Sequence, residues 1–264
     1  MRRINTEYMA TYNKRGYKPK TKVEKEQNIE EGSTTAEVFN TLDETASKTE
    51  AFVEKNQKYI FVIIGIVAVV VLGSLGYKEF IAKPKQINAM NDMFQAQKYF
   101  EDAVNGVEKD SLYNLALNGG EGKYGMLDIV NEYGGTPAAN LANYYAGTAY
   151  LRLKDYKNAV AYLSEFNSDD EILAPLAKGN IGDAFVQLNQ SEDALSYYEQ
   201  AAEMRDNEYT TPMYLYKAGA IALDLGQAKK ALGYFERIKE DYPNATEASN
   251  IDVFIGKAQV LANK

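Results

Sequence analysis

Residues 140–166 read NLANYYAGTAYLRLKDYKNAVAYLSEF, and the pattern in them returns twice downstream. The template is a small residue on one helix, an aromatic or apolar residue three or four positions later, then Ala and a bulky residue on a second helix. The first unit has Gly147, Tyr150, Ala159 and Leu163, and the second has Gly182, Phe185, Ala194 and Tyr198. The third has Gly219, Ala222, Ala231 and Phe235, with Pro243 closing it. Gly147 to Gly182 is 35 positions, Gly182 to Gly219 is 37, and the three alanines repeat both offsets. Gly256 lies another 37 on. A fixed period of this size marks a stacked array, because one unit cannot bury its apolar face alone. Small positions let paired helices approach closely, and large ones fill the gaps between neighbouring pairs. The breaks agree with this reading. Thr136–Pro137 and Thr211–Pro212 each place a capping hydroxyl before a proline at the first helical position; Gly226 suits a helix C-terminus, and Pro243 sits just past one.

The arrangement resembles the tetratricopeptide repeat (TPR) family, whose unit is a helix hairpin of about 34 residues. This chain departs from the family pattern in three ways. The early Trp or aromatic is absent, the second and third units run long, and Ala222 stands where an aromatic is usual. The resemblance implies an all-α solenoid of hairpins over residues 136–264, with a concave face lined mainly by the first helix of each repeat. Aligned on the motif, the inward positions are Leu141, Tyr144, Thr148, Leu151 and Arg152, then Asn180, Asp183 and Gln187, then Met213, Tyr216, Ala220 and Asp224. That set lacks the Lys and Asn combination with which some TPR domains clamp a C-terminal carboxylate. A mixed aromatic and polar groove suits an extended peptide or a partner helix. Most of the tyrosines, Tyr150 and Tyr198 among them, fall on packing positions and read as core.

Residues 59–77, YIFVIIGIVAVVVLGSLGY, carry no charge. As a helix rising about 1.5 Å per residue, the run just crosses a hydrocarbon layer of about 30 Å. Its many β-branched residues would favour a strand in water, but a lone strand in lipid leaves its backbone groups unpaired. Tyr59 and Tyr77 stand where interfacial aromatics belong, with Lys58 and Lys78 just outside them. We therefore expect a single transmembrane helix with its flanks over residues 51–82. The run starts late and is long for a cleaved signal peptide, although the small residues of Gly73–Ser74–Leu75–Gly76 resemble a cleavage site. Gly65, Gly73 and Gly76 form no GxxxG pair and fit either ordinary glycine tolerance or close approach of another helix. The lysines near the two ends balance: Lys48, Lys55 and Lys58 against Lys78, Lys83 and Lys85. Residues 1–25 tip the choice, with eight Lys or Arg against Glu7 and Glu24, toward a cytoplasmic N-terminus.

Residues 1–50 lack sustained apolar periodicity, so a largely disordered basic tail is expected there. A short amphipathic helix over residues 35–55, with Val38, Leu42, Phe52 and Val53 as its apolar positions, could run straight into the span. Residues 83–135 form a linking region. Lys85–Val107 reads as one long helix with Ile87, Met90, Phe94, Ala96 and Phe100 as buried candidates. The following NGGEGKYG, residues 118–125, invites a phosphate-loop reading and fails it. Tyr124 follows Gly-Lys where Ser or Thr is needed, and Leu117 stands where the first glycine should be. A flexible connector is expected instead, then a short helix over Met126–Tyr133 closed by Gly134–Gly135.

The chain has no His, Cys or Trp. That removes Ser–His–Asp and Cys–His nucleophiles, zinc sites of the usual kind, disulfides and lipid-bearing cysteines. The composition weighs against an enzyme, and no cofactor, metal or small-molecule substrate is expected. A net charge of −8 also weighs against nucleic-acid binding. Asp169, Asp170 and Glu171 are the one carboxylate cluster worth noting, and Ser168 ahead of them reads as a helix start that favours acids.

The order of parts, a basic tail, one span and a TPR-like domain, resembles the YfgM-like ancillary subunits of the bacterial Sec translocon. Residues 133–142, YGGTPAANLA, running into Tyr144-Tyr145-Ala146-Gly147, look like the start of the TPR region in that family. The resemblance covers about residues 45–264. It implies a single-pass protein of the bacterial inner (cytoplasmic) membrane with a periplasmic repeat domain. It also implies protein partners: the Sec translocon, and a membrane-anchored peptidyl-prolyl isomerase-like chaperone acting on emerging envelope or secreted proteins. The alternative is a TPR adaptor of another envelope machine, in secretion, outer-membrane assembly or division.

Overall fold

The computed structural model describes residues 34–106 and 109–263, all helix and turn, with no strand among them. The chain divides into two compact units, Met1–Gly73 and Ser74–Lys264. The described part of the first lies entirely within one helix, α1 (Thr34–Tyr77). Residues 34–50 are therefore helical, and the short amphipathic segment and the apolar run share one uninterrupted helix. The rest of the expected disordered tail, residues 1–33, lies outside the described residues, as does the side chain of Val38. Along the apolar run the side chains are bare: Tyr59 is 72% exposed and Leu72 68%. Tyr77 is exposed as well, and a Cβ at Gly65, Gly73 or Gly76 would meet nothing within 4 Å.

A π-helical turn, Lys78–Ala82, follows. Its cause is Pro84, which has no N–H for the carbonyl of Phe80 four residues back and whose ring crowds it. Widening the turn by one residue relieves this. The Lys83 N–H bonds the Lys78 carbonyl, five residues back, and the Lys83 ammonium sits 2.7 Å from Glu79.

In the second unit, α2 (Lys83–Asn105) packs on α3 (Lys109–Asn118) and α4 (Met126–Glu132). Its buried face is Ala89, Met93, Ala96, Phe100 and Ala103. Ala96 and Phe100 are buried as expected, but Ile87, Met90 and Phe94 are exposed. The alanine-rich side is buried because small side chains allow close helix approach, so the bulkier stripe is left outside. Phe100 meets Tyr113 and Tyr145 edge-on at 5.5 and 5.0 Å between ring centroids.

The glycine-rich segment is a fixed turn rather than a loose connector. Glu121 and Gly122 both have positive φ, 55° and 73°, and Gly120 pairs with Lys123. Gly119, at φ +76°, lies so close to the returning chain that a Cβ there would sit 2.1 Å from the Lys123 carbonyl oxygen. Three polar contacts then tie α2 to the chain ahead of the repeats. Lys85 Nζ donates to the Gly134 carbonyl at 3.1 Å, and the Ala138 N–H donates to Gln86 Oε1 at 3.0 Å. The Tyr133 hydroxyl donates to Asp92, which pushes its pKa up to about 12.

Three hairpins complete the stack: α5 (Pro137–Arg152) with α6 (Tyr156–Glu165), α7 (Leu173–Gln187) with α8 (Ser191–Met204), and α9 (Thr210–Asp224) with α10 (Ala228–Asp241). A short 3-10 turn, Thr246–Asn250, leads into a further helix, α11 (Ile251–Ala262). Each helix packs on its predecessor and its successor, as a solenoid requires. Helix α5 starts as its sequence predicts, Thr136 Oγ1 accepting from the Ala139 N–H at 3.1 Å. Helix α9 does not: it begins at Thr210, Thr211 is fully buried, and the capping acceptor is Asn207. Its Oδ1 takes the Tyr209 and Thr210 N–H groups at 2.9 and 2.7 Å.

Candidate functional site

The repeating glycines act as holes for the second helix of their own hairpin. A Cβ at Gly147 would lie 2.6 Å from Leu163, one at Gly182 2.7 Å from Tyr198, and one at Gly219 2.4 Å from Phe235. Leu163 and Phe235 are fully buried and Tyr198 nearly so. A fourth hole joins neighbouring units, because the Tyr214 ring fills the space beside Gly179, where a Cβ would stand 1.9 Å away.

Polar bonds reach from one unit to the next at about the repeat spacing. Lys217 Nζ donates to both oxygens of Asp183, 34 residues back, at 2.7 and 2.9 Å. The Tyr198 hydroxyl donates to Asp183 Oδ1 at 2.6 Å, and the Lys217 ammonium lies 5.5 and 5.6 Å from the ring centres of Tyr198 and Tyr214. Burial, with the Asp183 charge beside them, pushes both tyrosine hydroxyls far above their ordinary pKa. Tyr234 donates to Glu199, 35 residues back, and Tyr242 to Asp206, 36 back. Asn207 Nδ2 holds the Glu171 carbonyl at 3.1 Å, also 36 back.

The inward positions read from the motif fall into two groups. Leu141, Tyr144, Met213 and Tyr216 are half-buried and partly taken up by the stack. Tyr144 lies 5.2 Å from the Phe166 ring, and Tyr216 lies 5.0 Å from Phe254 and 6.2 Å from Phe235, centre to centre. Burial raises the Tyr144 hydroxyl's pKa. Asp183 belongs with this group, since Lys217 and Tyr198 occupy its carboxylate. Thr148, Leu151, Asn180 and Ala220 are half-buried, and Arg152, Gln187 and Asp224 are exposed at the C-terminal ends of α5, α7 and α9. Gln187 touches only the Tyr156 hydroxyl, at 3.4 Å. What the described residues present is a face of mixed Leu, Thr, Asn and Tyr, with Arg152 toward one end and Asp224 toward the other.

Motif reading missed Lys217, which sits beside these positions rather than on one. Its signal was available in the period, since an acid and a base one repeat apart on first helices can pair across neighbouring units. The 169–171 cluster has structural employment. Asp169 pairs with Arg205 at 3.0 Å, and Asp170 accepts the Ile172 and Leu173 N–H groups at 2.9 and 2.8 Å. Those two backbone bonds hold the Asp170 carboxyl below the usual carboxylate range.

Stacked hairpins, glycine holes and bonds one repeat apart define a helical-repeat scaffold of the kind that holds other proteins. Tetratricopeptide repeat models match residues 141–169, the α5–α6 hairpin, and residues 180–246, from α7 to the turn after α10. Both matches support the tetratricopeptide repeat as the unit of this stack. No curated protein matches the chain.

Proposed function

We propose that the chain is a membrane-anchored TPR scaffold that serves as an ancillary subunit of the bacterial Sec translocon, its repeats holding an isomerase-like chaperone partner or the emerging chain. One observation carries the reading: a long apolar helix, with mean hydropathy 2.7 over its best window and none of that window buried, shares a chain with TPR repeats. Lipid is the solvent that such a surface fits, since water would be faced with an unbroken apolar cylinder. The basic residues of the first 25 positions favour a cytoplasmic N-terminus and periplasmic repeats. The partner assignment is supported by the resemblance of the part order and of residues 133–147 to YfgM-like subunits. The groove, lined by Leu141, Tyr144, Thr148, Leu151, Arg152, Asn180, Gln187, Met213, Tyr216 and Asp224, suits an extended segment or a partner helix.

Affinity capture of the tagged full chain from detergent-solubilised membranes tests this. Translocon subunits together with an isomerase-like protein are expected to co-purify, and Arg152→Glu combined with Asn180→Ala should weaken the capture. Recovery of components of a different envelope machine, or of neither expected partner, overturns the assignment.

A further inference from the structure

Helix α11 repeats the first-helix pattern of the three hairpins, with Gly256 in the place of Gly147, Gly182 and Gly219. In each of those units the hole beside the glycine holds a bulky side chain of the second helix. Beside Gly256 it is empty: a Cβ there would meet nothing within 4 Å. The neighbouring positions are bare too. Val253 and Val260 occupy the places of Tyr216 and Leu223, 37 residues earlier, both of which are half-buried against the α9–α11 core. On α11 they are 71% and 62% exposed. Val253, Gly256 and Val260 follow helical spacing on one face, the face by which each earlier first helix receives the next pair.

We propose that this face is a docking site for an amphipathic helix of a partner protein, one that carries Ala and, four positions later, Leu, Tyr or Phe. The chain itself supplies the template three times, in Ala159 with Leu163, Ala194 with Tyr198 and Ala231 with Phe235. The small residue allows close approach, and the bulky one enters the hole beside the glycine. The partner helix runs antiparallel to α11, as the second helix of each hairpin does. The site is separate from the concave groove and does not depend on what the groove holds.

A fluorescent peptide of residues 226–242, which carries Ala231 and Phe235, serves as the probe against the full chain in detergent micelles. Anisotropy is expected to show saturable binding. Val253→Asp or Val260→Asp in the chain, or Phe235→Ser in the peptide, should weaken it about tenfold or more, the range for exposing one buried apolar side chain. Gly256→Leu should block it equally without changing the circular dichroism or melting of the chain, while Arg152→Glu in the groove should leave it unaltered. No saturable binding, or binding indifferent to these substitutions on α11, overturns the proposal. Sedimentation showing that the chain pairs with itself through Val253 and Val260 also overturns it, in favour of a second copy as the occupant.

Discussion

Gly179 and Gly256 are both glycines inside helices, yet their surroundings give them opposite mutational signs. At Gly179 an added methyl runs into the ring of Tyr214, itself fully buried and unable to swing aside. Gly179→Ala should therefore destabilise the fold by about 1–3 kcal/mol, the usual cost of overpacking. Gly256→Ala meets nothing and gains helix propensity, so stability should stay level or rise by up to about 1 kcal/mol. Urea unfolding of the two variants checks this, and equal shifts would count against the hole-and-knob account. Asn207 is the other residue on which much converges, capping α9 with its oxygen and reaching the previous unit with its nitrogen. Asn207→Ala should cost about 1–2 kcal/mol, more than Ala at a surface position without such partners. The glycine holes were legible in the sequence because a fixed period exposes them. The cap was not, since Thr211–Pro212 imitates a helix start and only the burial of Thr211 shows that the chain already turned at Asn207.

At the scale of elements, α2 shows how far periodicity reaches. The sequence offers two apolar stripes on this helix, and hydrophobicity alone favours the one with Ile87 and Phe94. Packing selects the other, because Ala89, Ala96 and Ala103 let α3, α4 and α5 come close. The π turn at Lys78–Ala82 has a local cause in Pro84, so Pro84→Ala should let the helix close to ordinary α geometry. Hydrogen exchange at the amides of residues 82–86 should then slow; unchanged exchange would mean that something other than proline holds the turn open. The glycine-rich turn makes a related point. Gly119-Gly120-Glu121-Gly122 reads as flexible by composition, but the positive φ values and the Gly119–Lys123 approach show glycine used for a tight bend.

For the molecule as a whole, the tyrosines set an alkaline limit. Burial raises the pKa of Tyr198, Tyr214 and Tyr234 far above the ordinary value, and that of Tyr144, Tyr150 and Tyr242 in the same direction. The folded state thus holds these protons more tightly than the unfolded chain, whose tyrosines titrate near pH about 10. Their contribution is complete below that pH and is lost as pH climbs above it toward the folded values. Helical circular dichroism should hold up to pH about 10 and then fall together with the rise of tyrosinate absorbance. Loss of helix well below that pH would contradict the burial of these hydroxyls. Membrane retention is the second test at this scale. The chain should stay with membranes after a urea wash, and Ile66→Arg with Val70→Arg should release it, each arginine costing about 2.5–3.5 kcal/mol at the centre of a span. The sequence by itself determined the helical class, the period of the stack and the apolar run, because each is a repeating pattern of local residue types. Tertiary structure alone decided which inward positions stay open, since Tyr144, Asp183 and Tyr216 are engaged by partners that lie about one repeat away. It alone also showed that the hole at Gly256 stands empty, because a glycine looks the same in sequence whether a side chain fills the space beside it or not.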